Sequence, residues 1–208
     1  MIRPPEFGGA AFGDAADGDP RTDDAARLAM AGRLGIPEGW AWLHQVHGTE
    51  VLHATHPGPL GEADAAFTTE PGLPIVVATA DCFPVIVEGV GGVGIAHAGW
   101  RGAAAGVITS LLGAMAVHGI TPIRAAVGPG IGACCFEVGP EVTERFPGHG
   151  AMTSWGTPSV DLRAAIVAAL GGLETWVADT CTMSGVGYHS HRRDGTRRRQ
   201  VAVAWLPG

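Results

Sequence analysis

The sequence contains no lysine, so all 13 of its strongly basic side chains are arginines. It has no run of the roughly 20 apolar residues that a membrane-spanning helix needs. Its N-terminus also lacks the basic and then apolar pattern of a signal peptide. A formal net charge of -7 argues against nonspecific binding to nucleic acid or to an anionic membrane. These absences predict a cytoplasmic protein whose partners include neither nucleic acid nor membrane.

The chain is also poor in cysteine. Only four are present: Cys82, Cys134, Cys135 and Cys181. Their spacing shows no disulfide framework of the kind that holds small secreted domains together. With 208 residues, 46% of them hydrophobic and 16% charged, the chain can bury a substantial core. Because repeats, low-complexity tracts and a clear linker are also lacking, we predict one catalytic α/β domain at 23–208. An irregular N-terminal arm, rich in Gly, Asp and Pro, precedes it at 1–22.

Short apolar runs alternate with segments of helical periodicity, as expected for an α/β fold. The predicted strands cover residues 40–46, 49–54, 73–79, 84–88, 93–96, 123–127, 175–178 and 200–205. The predicted helices cover residues 23–34, 103–118, 140–146 and a segment from 159 or 161 to 170. This order leaves several reactive side chains at the ends of predicted strands.

Three metal-binding residue types stand at the edges of these strands, namely His47, Cys82 and His97. Imidazole nitrogen and thiolate sulfur suit zinc, and three protein ligands leave a fourth position open, as in catalytic zinc sites. Cys82 has two other interpretations. It could be a small buried apolar side chain, or a nucleophile that His97 activates. Because the three residues lie far apart in sequence, their spacing alone does not decide between these interpretations.

Four further residues are candidates for catalysis or substrate binding. Arg101 precedes the predicted helix at 103–118, and its guanidinium suits phosphate or carboxylate, although a surface salt bridge is the alternative. Asp81 could accept a proton, orient a histidine or cap a turn. Cys135 could line a pocket or pack in a turn. Arg192 belongs to a basic cluster that could form a second anion site. The cluster consists of Arg192, Arg193, Arg197, Arg198 and Arg199, and a solvated hairpin tip is the alternative for the last three.

Seven short motifs follow one another in an order that resembles a known family. They are Gln-Val-His-Gly at 45–48, Ala-Asp-Cys-Phe-Pro at 80–84, His-Ala-Gly-Trp-Arg-Gly at 97–102, Val-Gly-Pro-Gly-Ile-Gly at 127–132, Cys-Phe-Glu-Val-Gly at 135–139, Cys-Thr at 181–182 and Ser-His-Arg-Arg at 190–193. Over residues 40–208 the chain resembles the zinc-dependent purine nucleoside phosphorylase and adenosine deaminase family. That family is also labelled multicopper polyphenol oxidase (laccase-like) and peptidoglycan editing factor.

The resemblance implies a sandwich of mixed β-sheets flanked by helices, with the family's zinc on His47, Cys82 and His97. It implies phosphorolysis of purine nucleosides such as inosine, adenosine or methylthioadenosine, with deamination of adenosine at the same site. We expect Asp81 and Arg101 to act in catalysis. We expect substrate and phosphate to contact Arg101, Arg192 and Cys135, in a monomer or small homo-oligomer.

Two departures from the family pattern affect these expectations. The N-terminal arm lacks the family's opening that contains Arg and Gly. The family's late Tyr-Arg and Gly-Arg pairs are His-Arg at 191–192 and Arg-Arg at 197–198 in this sequence. Substrate contacts from these two regions are therefore the least secure part of the resemblance.

Three other functions remain open at this point. A multicopper phenol oxidase would require many histidines, generally in His-X-His pairs, but the nine histidines form only one such pair, at His189 and His191. Copper is therefore only a minor alternative to zinc. A metal-free hydrolase or amidase that uses Cys82 and His97, including one that edits a peptidoglycan precursor, is a third interpretation. A metal-binding protein without catalytic activity is the fourth.

Overall fold

The two large sheets of the protein are built from runs of β-branched and small apolar residues. The computed structural model describes residues 1–208, with thirteen strands and six α-helices. The strands are β1 (Ala10–Phe12), β2 (Ala41–His44), β3 (Val51–His53), β4 (Gly58–Glu62), β5 (Ala65–Thr68), β6 (Ile75–Thr79), β7 (Phe83–Val90), β8 (Gly92–Ala98), β9 (Thr121–Val127), β10 (Gly150–Met152), β11 (Pro158–Val160), β12 (Glu174–Val177) and β13 (Gln200–Ala204). The helices are α1 (Asp24–Leu34), α2 (Trp100–Ala105), α3 (Val107–Val117), α4 (Pro140–Thr143), α5 (Leu162–Ala169) and α6 (His191–Asp194).

Both large sheets mix parallel and antiparallel pairing. One has five strands in the order β1-β13-β6-β2-β4, and the other has six in the order β12-β9-β7-β8-β5-β3. In the six-stranded sheet, β7 pairs antiparallel with both β8 and β9, with Val85 opposite Ala96 on one side and Val127 on the other. Strands β10 and β11 form a separate two-stranded sheet. This arrangement confirms the predicted fold class of mixed β-sheets flanked by helices.

Three apolar clusters hold the layers together. The alternation of side chains along β6 assigns Ile75 and Val77 to the cluster between the two sheets, and Val76 and Ala78 to the cluster under α1. The third cluster joins the outer face of the six-stranded sheet to helices α3 and α5. Because the central strands are buried on both faces, they consist of nearly continuous apolar residues.

The helix predicted at 103–118 is two helices in the structure. Gly106 adopts a left-handed conformation, with φ of 96°, and separates α2 from α3. Gly99 is the N-cap of α2, so Arg101 lies in the first turn of this six-residue helix rather than before a long one. The prediction of a single long helix behind Arg101 was therefore wrong. It failed because helical periodicity alone does not reveal a break at one glycine.

The segment at 1–22, predicted to be irregular, contributes to the fold. Strand β1 pairs antiparallel with β13, with Phe12 opposite Ala202, and Phe12 is buried between the sheets. Asp14 then caps a 3₁₀ turn at Ala15–Asp17. The prediction of an irregular segment was wrong at β1. The three residues of this strand, Ala-Ala-Phe, pair only with β13 at the far end of the chain, so the local sequence does not reveal the strand. The division into an arm and a catalytic domain stays a prediction.

Most of the other predicted elements are present. Asp161 caps α5, one of the two positions predicted for the start of this helix, and Asp23 caps α1. The predictions missed β4, β5, β10, β11 and α6. None of the six α-helices has the length and apolar character required to cross a lipid bilayer.

Candidate active site

The structure brings His47, Cys82 and His97 together at one end of the two sheets. Cys82 lies between β6 and β7, His97 lies in β8, and His47 follows β2. Their donor atoms all lie within 4.8 Å of one another, and Nε2 of His47 is 3.9 Å from Sγ of Cys82. The imidazole rings of His47 and His97 meet in a T-shaped arrangement, with an interplanar angle of 74° and centroids 4.8 Å apart. Thus three residues that are distant in sequence form one nitrogen and sulfur donor group.

Backbone geometry makes this convergence possible. His47 and Asp81 both have positive φ angles, 63° and 88°, which turn the chain sharply beside the donor side chains. Gly99 is closely packed against the same group. A Cβ at this position would lie 2.8 Å from Cδ2 of His47 and 3.0 Å from Sγ of Cys82. Only glycine therefore fits at residue 99 without displacing the donor side chains.

Asp64 orients His97 from behind. This fully buried carboxylate accepts a hydrogen bond of 2.7 Å from Nδ1 of His97, so Nε2 faces the donor group. Its second oxygen accepts hydrogen bonds from the backbone N–H groups of Val46 and Gly48, at 3.1 and 2.6 Å. Asp64 thus fixes both the ring of His97 and the turn that carries His47. A carboxylate behind a metal-binding histidine is a common outer partner in zinc sites.

Hydrogen bonds and neighbouring charges lower the pKa of Cys82 and raise the pKa of His97. Burial acts to raise the pKa of the Cys82 thiol, but hydrogen bonds with His47 and His97 lower this pKa to about 6. Burial acts to lower the pKa of His97, but its hydrogen bonds to Asp64 and Cys82 raise this pKa to about 9. Without a metal, therefore, a thiolate faces an imidazolium at neutral pH.

The donor group fits a zinc ion. Two imidazoles and a thiolate match the ligand preferences of zinc, and Asp64 supplies the expected outer partner of His97. His47 is exposed and Cys82 is partly exposed, so a fourth position is accessible from solvent. The nine histidines do not form another group of three metal-binding side chains, since the only other such group in the chain contains three cysteines. This arrangement does not match a set of coupled copper sites.

The donor group opens into a cavity of about 620 Å³, which we call the main cavity. Its basic lining consists of Arg21, Arg101, His191 and Arg199, in addition to His44, His47 and His97. The guanidinium of Arg101 stacks on the ring of Trp100, with its central carbon 4.3 Å from the ring centroid. The cavity therefore combines a metal-type donor group with guanidinium groups that can bind an anion.

Asp81 has a different environment from the one predicted for a catalytic acid or base. Its carboxylate oxygens accept hydrogen bonds from Oγ1 of Thr182 and from the backbone N–H of Arg192, both at 2.7 Å. Asp81 does not line the main cavity, although Ala80 and Cys82 on either side of it do. The geometry thus favours a positioning role for Asp81, which fastens the loop that carries Cys82.

Two further predicted contacts do not reach the main cavity. The guanidinium of Arg192 donates a hydrogen bond of 2.6 Å to the carbonyl of Glu137 and lies over the ring of Phe136. Cys135 is buried beside Cys134 and Cys181 and does not line the main cavity. Substrate contacts from Arg192 and Cys135 are therefore not supported at this cavity.

Sequence reasoning missed Asp64 and Arg21, and it named Arg199 only as part of the basic cluster that could form a second anion site. Asp64 precedes β5 in a stretch of small residues, and an acidic residue at the start of a buried strand was the available signal. Arg21 lies in the segment at 1–22 that was predicted to be irregular, and Asp19 holds its guanidinium at 2.9 Å. Arg199 belongs to the cluster that was also interpreted as a solvated hairpin tip.

The fold and the donor group together define a single-domain α/β protein with an accessible His/Cys/His metal-type centre. The family model described as multi-copper polyphenol oxidoreductase laccase matches residues 3–207, so the chain belongs to this family. The chain is 37% identical to a purine nucleoside phosphorylase of Streptomyces griseus over 96% of its length and 88% of the relative. It is 36% identical to the purine nucleoside phosphorylase YfiH of Escherichia coli over 95% of its length and 85% of the relative.

Solved structures show the same architecture. YlmD from Geobacillus stearothermophilus superposes with a TM-score of 0.84 at 27% identity, covering 100% of this chain and 98% of that one. The Neisseria meningitidis protein NMB0706 superposes with a TM-score of 0.77 at 32% identity, covering 88% of this chain and 80% of that one. These similarities confirm the family that the sequence motifs suggest.

Proposed function

We propose that the protein is a zinc-dependent purine nucleoside phosphorylase that also deaminates adenosine. The observation that carries this proposal is the convergence of His47, Cys82 and His97 at a cavity that Arg101 also lines. The names of relatives at 36% and 37% identity support the phosphorylase part of this proposal. A volume of about 620 Å³ lies within the range of roughly 300–1,000 Å³ that is usual for small-molecule sites.

His47, Cys82 and His97 would hold the zinc ion. When bound, zinc supplies a Lewis acid that polarises an oxygen or nitrogen of the substrate. Asp64 keeps the proton of His97 on Nδ1 through its 2.7 Å hydrogen bond, so Nε2 remains the donor atom. Since the pKa of His97 is about 9 in the metal-free protein, binding a cation there releases a proton from His97.

Arg101 would bind phosphate. A guanidinium offers two parallel N–H donors to an oxyanion, and its stacking on Trp100 restricts its orientation. Arg21 and Arg199 line the same cavity and add to its positive potential. The carboxylate of Asp19 already partly neutralises Arg21, at 2.9 Å. We therefore assign the main phosphate contact to Arg101 and the weaker contacts to the other two arginines.

The central test is an assay of inosine, adenosine and methylthioadenosine, each with and without phosphate. We expect release of the purine base only when phosphate is present, together with formation of a sugar 1-phosphate. Chelation should abolish the activity, and added zinc should restore it. Conversion of adenosine to inosine without phosphate would reveal the deaminase. Phosphate-independent release of the base, or full activity after complete removal of metal, would contradict the proposal.

One observation favours a second candidate, a cysteine hydrolase. With a pKa of about 6 for Cys82 and about 9 for His97, the metal-free protein carries a thiolate next to an imidazolium, as cysteine nucleophiles require. This activity would persist in the chelated protein and would form a covalent intermediate on Cys82. The chelation experiment therefore separates the two candidates, and zinc content with no copper would separate the first from a phenol oxidase.

A further inference from the structure

A second group of metal-type side chains lies outside the main cavity. It consists of Cys134, Cys135 and Cys181, which we call the thiol cluster. All three cysteines are free thiols. They line or adjoin a separate cleft of about 250 Å³, which shares no lining residue with the main cavity. The proposed phosphorolysis gives these three sulfur atoms no role.

The chain brings the thiol cluster together by backbone pairing, not by sequence proximity. Gly130 and Cys181 form an isolated parallel bridge, and the N–H of Thr182 donates a hydrogen bond of 3.0 Å to the carbonyl of Gly130. The turn that follows carries Cys134 and Cys135 back to the same point, because the N–H of Cys135 bonds to the carbonyl of Gly132 at 3.0 Å. The cluster thus joins two loops that are about fifty positions apart.

The distances between the sulfur atoms are close to those around one metal ion. Sγ of Cys134 is 3.3 Å from Sγ of Cys135, and all three sulfur atoms lie within 4.8 Å of one another. A zinc–sulfur bond of about 2.3 Å with tetrahedral angles sets neighbouring sulfur atoms about 3.8 Å apart. The longest possible separation therefore has to shorten by only about 1 Å, which side-chain rotation can supply.

The surroundings stabilise the thiolate form of Cys181. The N–H of Gly132 donates a hydrogen bond of 3.2 Å to Sγ of Cys181, and Ser184 is a further hydrogen-bonding neighbour of that sulfur. Such N–H···S bonds are typical of metal-binding thiolates. Gly132 is also tightly enclosed, since a Cβ there would lie 3.3 Å from Sγ of Cys134 and 3.3 Å from Cβ of Cys181. Arg163 lines the same cleft together with Asp161 and Asp179, and its guanidinium is paired with the carboxylate of Asp179 at 3.2 Å.

We propose that Cys134, Cys135 and Cys181 form a second metal site, which binds one soft d¹⁰ ion, Zn²⁺ or Cu⁺, through three thiolates. Thiolates select these ions over Mg²⁺ or Ca²⁺, which prefer oxygen ligands. Each thiol releases its proton to solvent as its sulfur binds the ion. Three thiolates give a net charge of about -1 with Zn²⁺ and about -2 with Cu⁺, so Zn²⁺ leaves the smaller negative charge beside Asp161 and Asp179.

The thiol cluster has a structural connection to the first donor group. Cys181 precedes Thr182, whose hydroxyl donates to Asp81, and Asp81 precedes Cys82. A metal ion that joins the two loops of the thiol cluster would therefore also restrain the loop that carries Cys82. Because the ion would join two distant loops beside a cleft of only about 250 Å³, we assign this second ion a structural role and not a catalytic one.

Metal titration of four proteins tests the proposal. They are the wild type, Cys134→Ser, Cys181→Ser and Cys82→Ser, each purified metal-free with reductant. Native mass spectrometry then counts bound ions after addition of Zn²⁺ or, without oxygen, Cu⁺. We expect two ions in the wild type and one in each variant. In the Cys134 and Cys181 variants the lost ion should be the one that survives Cys82→Ser. Competition with a chelator then shows which ion the thiol cluster prefers.

A second measurement leaves all three cysteines of the thiol cluster unsubstituted. Peptide mass spectrometry of alkylated wild-type protein reports the reactivity of each cysteine separately. Addition of metal to the Cys82→Ser protein, in which the first group is disabled, should slow alkylation of Cys134 and Cys181 at least about tenfold. A single bound ion in the wild type, or unchanged alkylation of both cysteines, would overturn the second site. Neither result affects the proposed phosphorolysis, which rests on the other donor group.

Discussion

The first donor group and the thiol cluster both bring three metal-type side chains within 4.8 Å, but they differ in what surrounds them. His47, Cys82 and His97 combine nitrogen with sulfur, have Asp64 as an outer partner and face a cavity of about 620 Å³. The thiol cluster contains only sulfur, is supported by backbone N–H of Gly132 and faces a cleft of about 250 Å³.

The difference separates the two functions that we assign to these groups. A reaction site needs an accessible ligand position, room for substrate and groups that bind its charge, and only the first donor group has all three. A structural site needs ligands that join distant segments, which the thiol cluster provides through Gly130 and Cys181. Substitutions that affect metal binding, catalysis or stability separately can therefore test this comparison.

We expect the largest effect from Cys82→Ser. A serine hydroxyl is a poor zinc ligand at neutral pH, so the first ion should be lost. Phosphorolysis should then fall more than about 100-fold, since even an outer partner of a metal ligand is typically worth 10–100-fold. Steady-state kinetics with inosine and phosphate and metal analysis of the same sample measure this. Cys134→Ser is the matched control and should keep activity. Equal losses in both variants would remove the functional difference between the groups.

Asp64→Asn should have the next largest effect. The asparagine side chain offers Nδ1 of His97 a neutral acceptor in place of a carboxylate, so metal affinity or activity should drop about 10–100-fold. Glu62→Gln, a change at an exposed side chain two residues earlier, serves as control.

The pKa of Asp64 also predicts how stability depends on pH. Burial opposes ionisation, but hydrogen bonds from His97 and Gly48 hold the pKa of Asp64 below its usual 3.8.

The sign of this pH effect follows from linkage. A carboxyl with a lowered pKa in the folded state contributes stability above pH 3.8 and loses it as pH falls through the lower folded value. The wild-type midpoint of urea unfolding should therefore fall in acid more than that of Asp64→Asn. Parallel acid profiles for the two proteins would show that Asp64 has no such role.

The strands of the structure differ in how far the sequence alone could predict them. The central strands were predictable because β6 and β7 are buried on both faces and therefore appear as continuous apolar runs. Strand β4 was missed because its residues, Gly-Pro-Leu-Gly-Glu, carry no β signal, and it forms only by parallel pairing with β2. Strand β1 is three residues long and likewise depends on β13.

The same division holds for the candidate site. His47, Cys82 and His97 were identifiable because their residue types suit one metal and their motifs resemble those of the family. Asp64 was not, because a hydrogen bond to Nδ1 of His97 depends on the register between β5 and β8. The roles expected of Arg192 and Cys135 stay predictions, because a motif gives the order of residues but not the cavity that each side chain faces.

Arg101→Lys should have a smaller effect, confined to phosphate. Lysine keeps the charge but loses the two parallel donors, so KM for phosphate should rise about tenfold with metal content unchanged. Arg192→Lys is the matched control, because the guanidinium of Arg192 contacts the carbonyl of Glu137 and not the main cavity. Kinetics at varied phosphate measure both variants. If Arg192→Lys raised this KM and Arg101→Lys did not, the phosphate site would have to move to the other arginine.

The smallest effect concerns the titration of the thiols in metal-free protein. Burial opposes ionisation of Cys82 and of Cys181. Hydrogen bonds nevertheless lower the pKa of Cys82 to about 6 and the pKa of Cys181 to about 7, from an ordinary value of 9. Burial and neighbouring thiols raise the pKa of Cys135 to about 12. Because the thiolate is the reactive form, alkylation should become fast as pH rises through these values.

The test measures the alkylation rate of each cysteine by peptide mass spectrometry between pH 5 and 9, a window of about two units on either side of pH 7. The cysteines should become reactive in the order of their pKa values. Cys82 should reach half its maximal rate near pH 6, Cys181 near pH 7, and Cys135 should stay unreactive throughout. His47→Ala should move the midpoint of Cys82 upward, since it removes one hydrogen-bond partner, and should leave Cys181 unchanged. If Cys82 and Cys181 both reached half-maximal rate at pH 9, neither environment would favour a thiolate, and the electrostatic part of the comparison would fail.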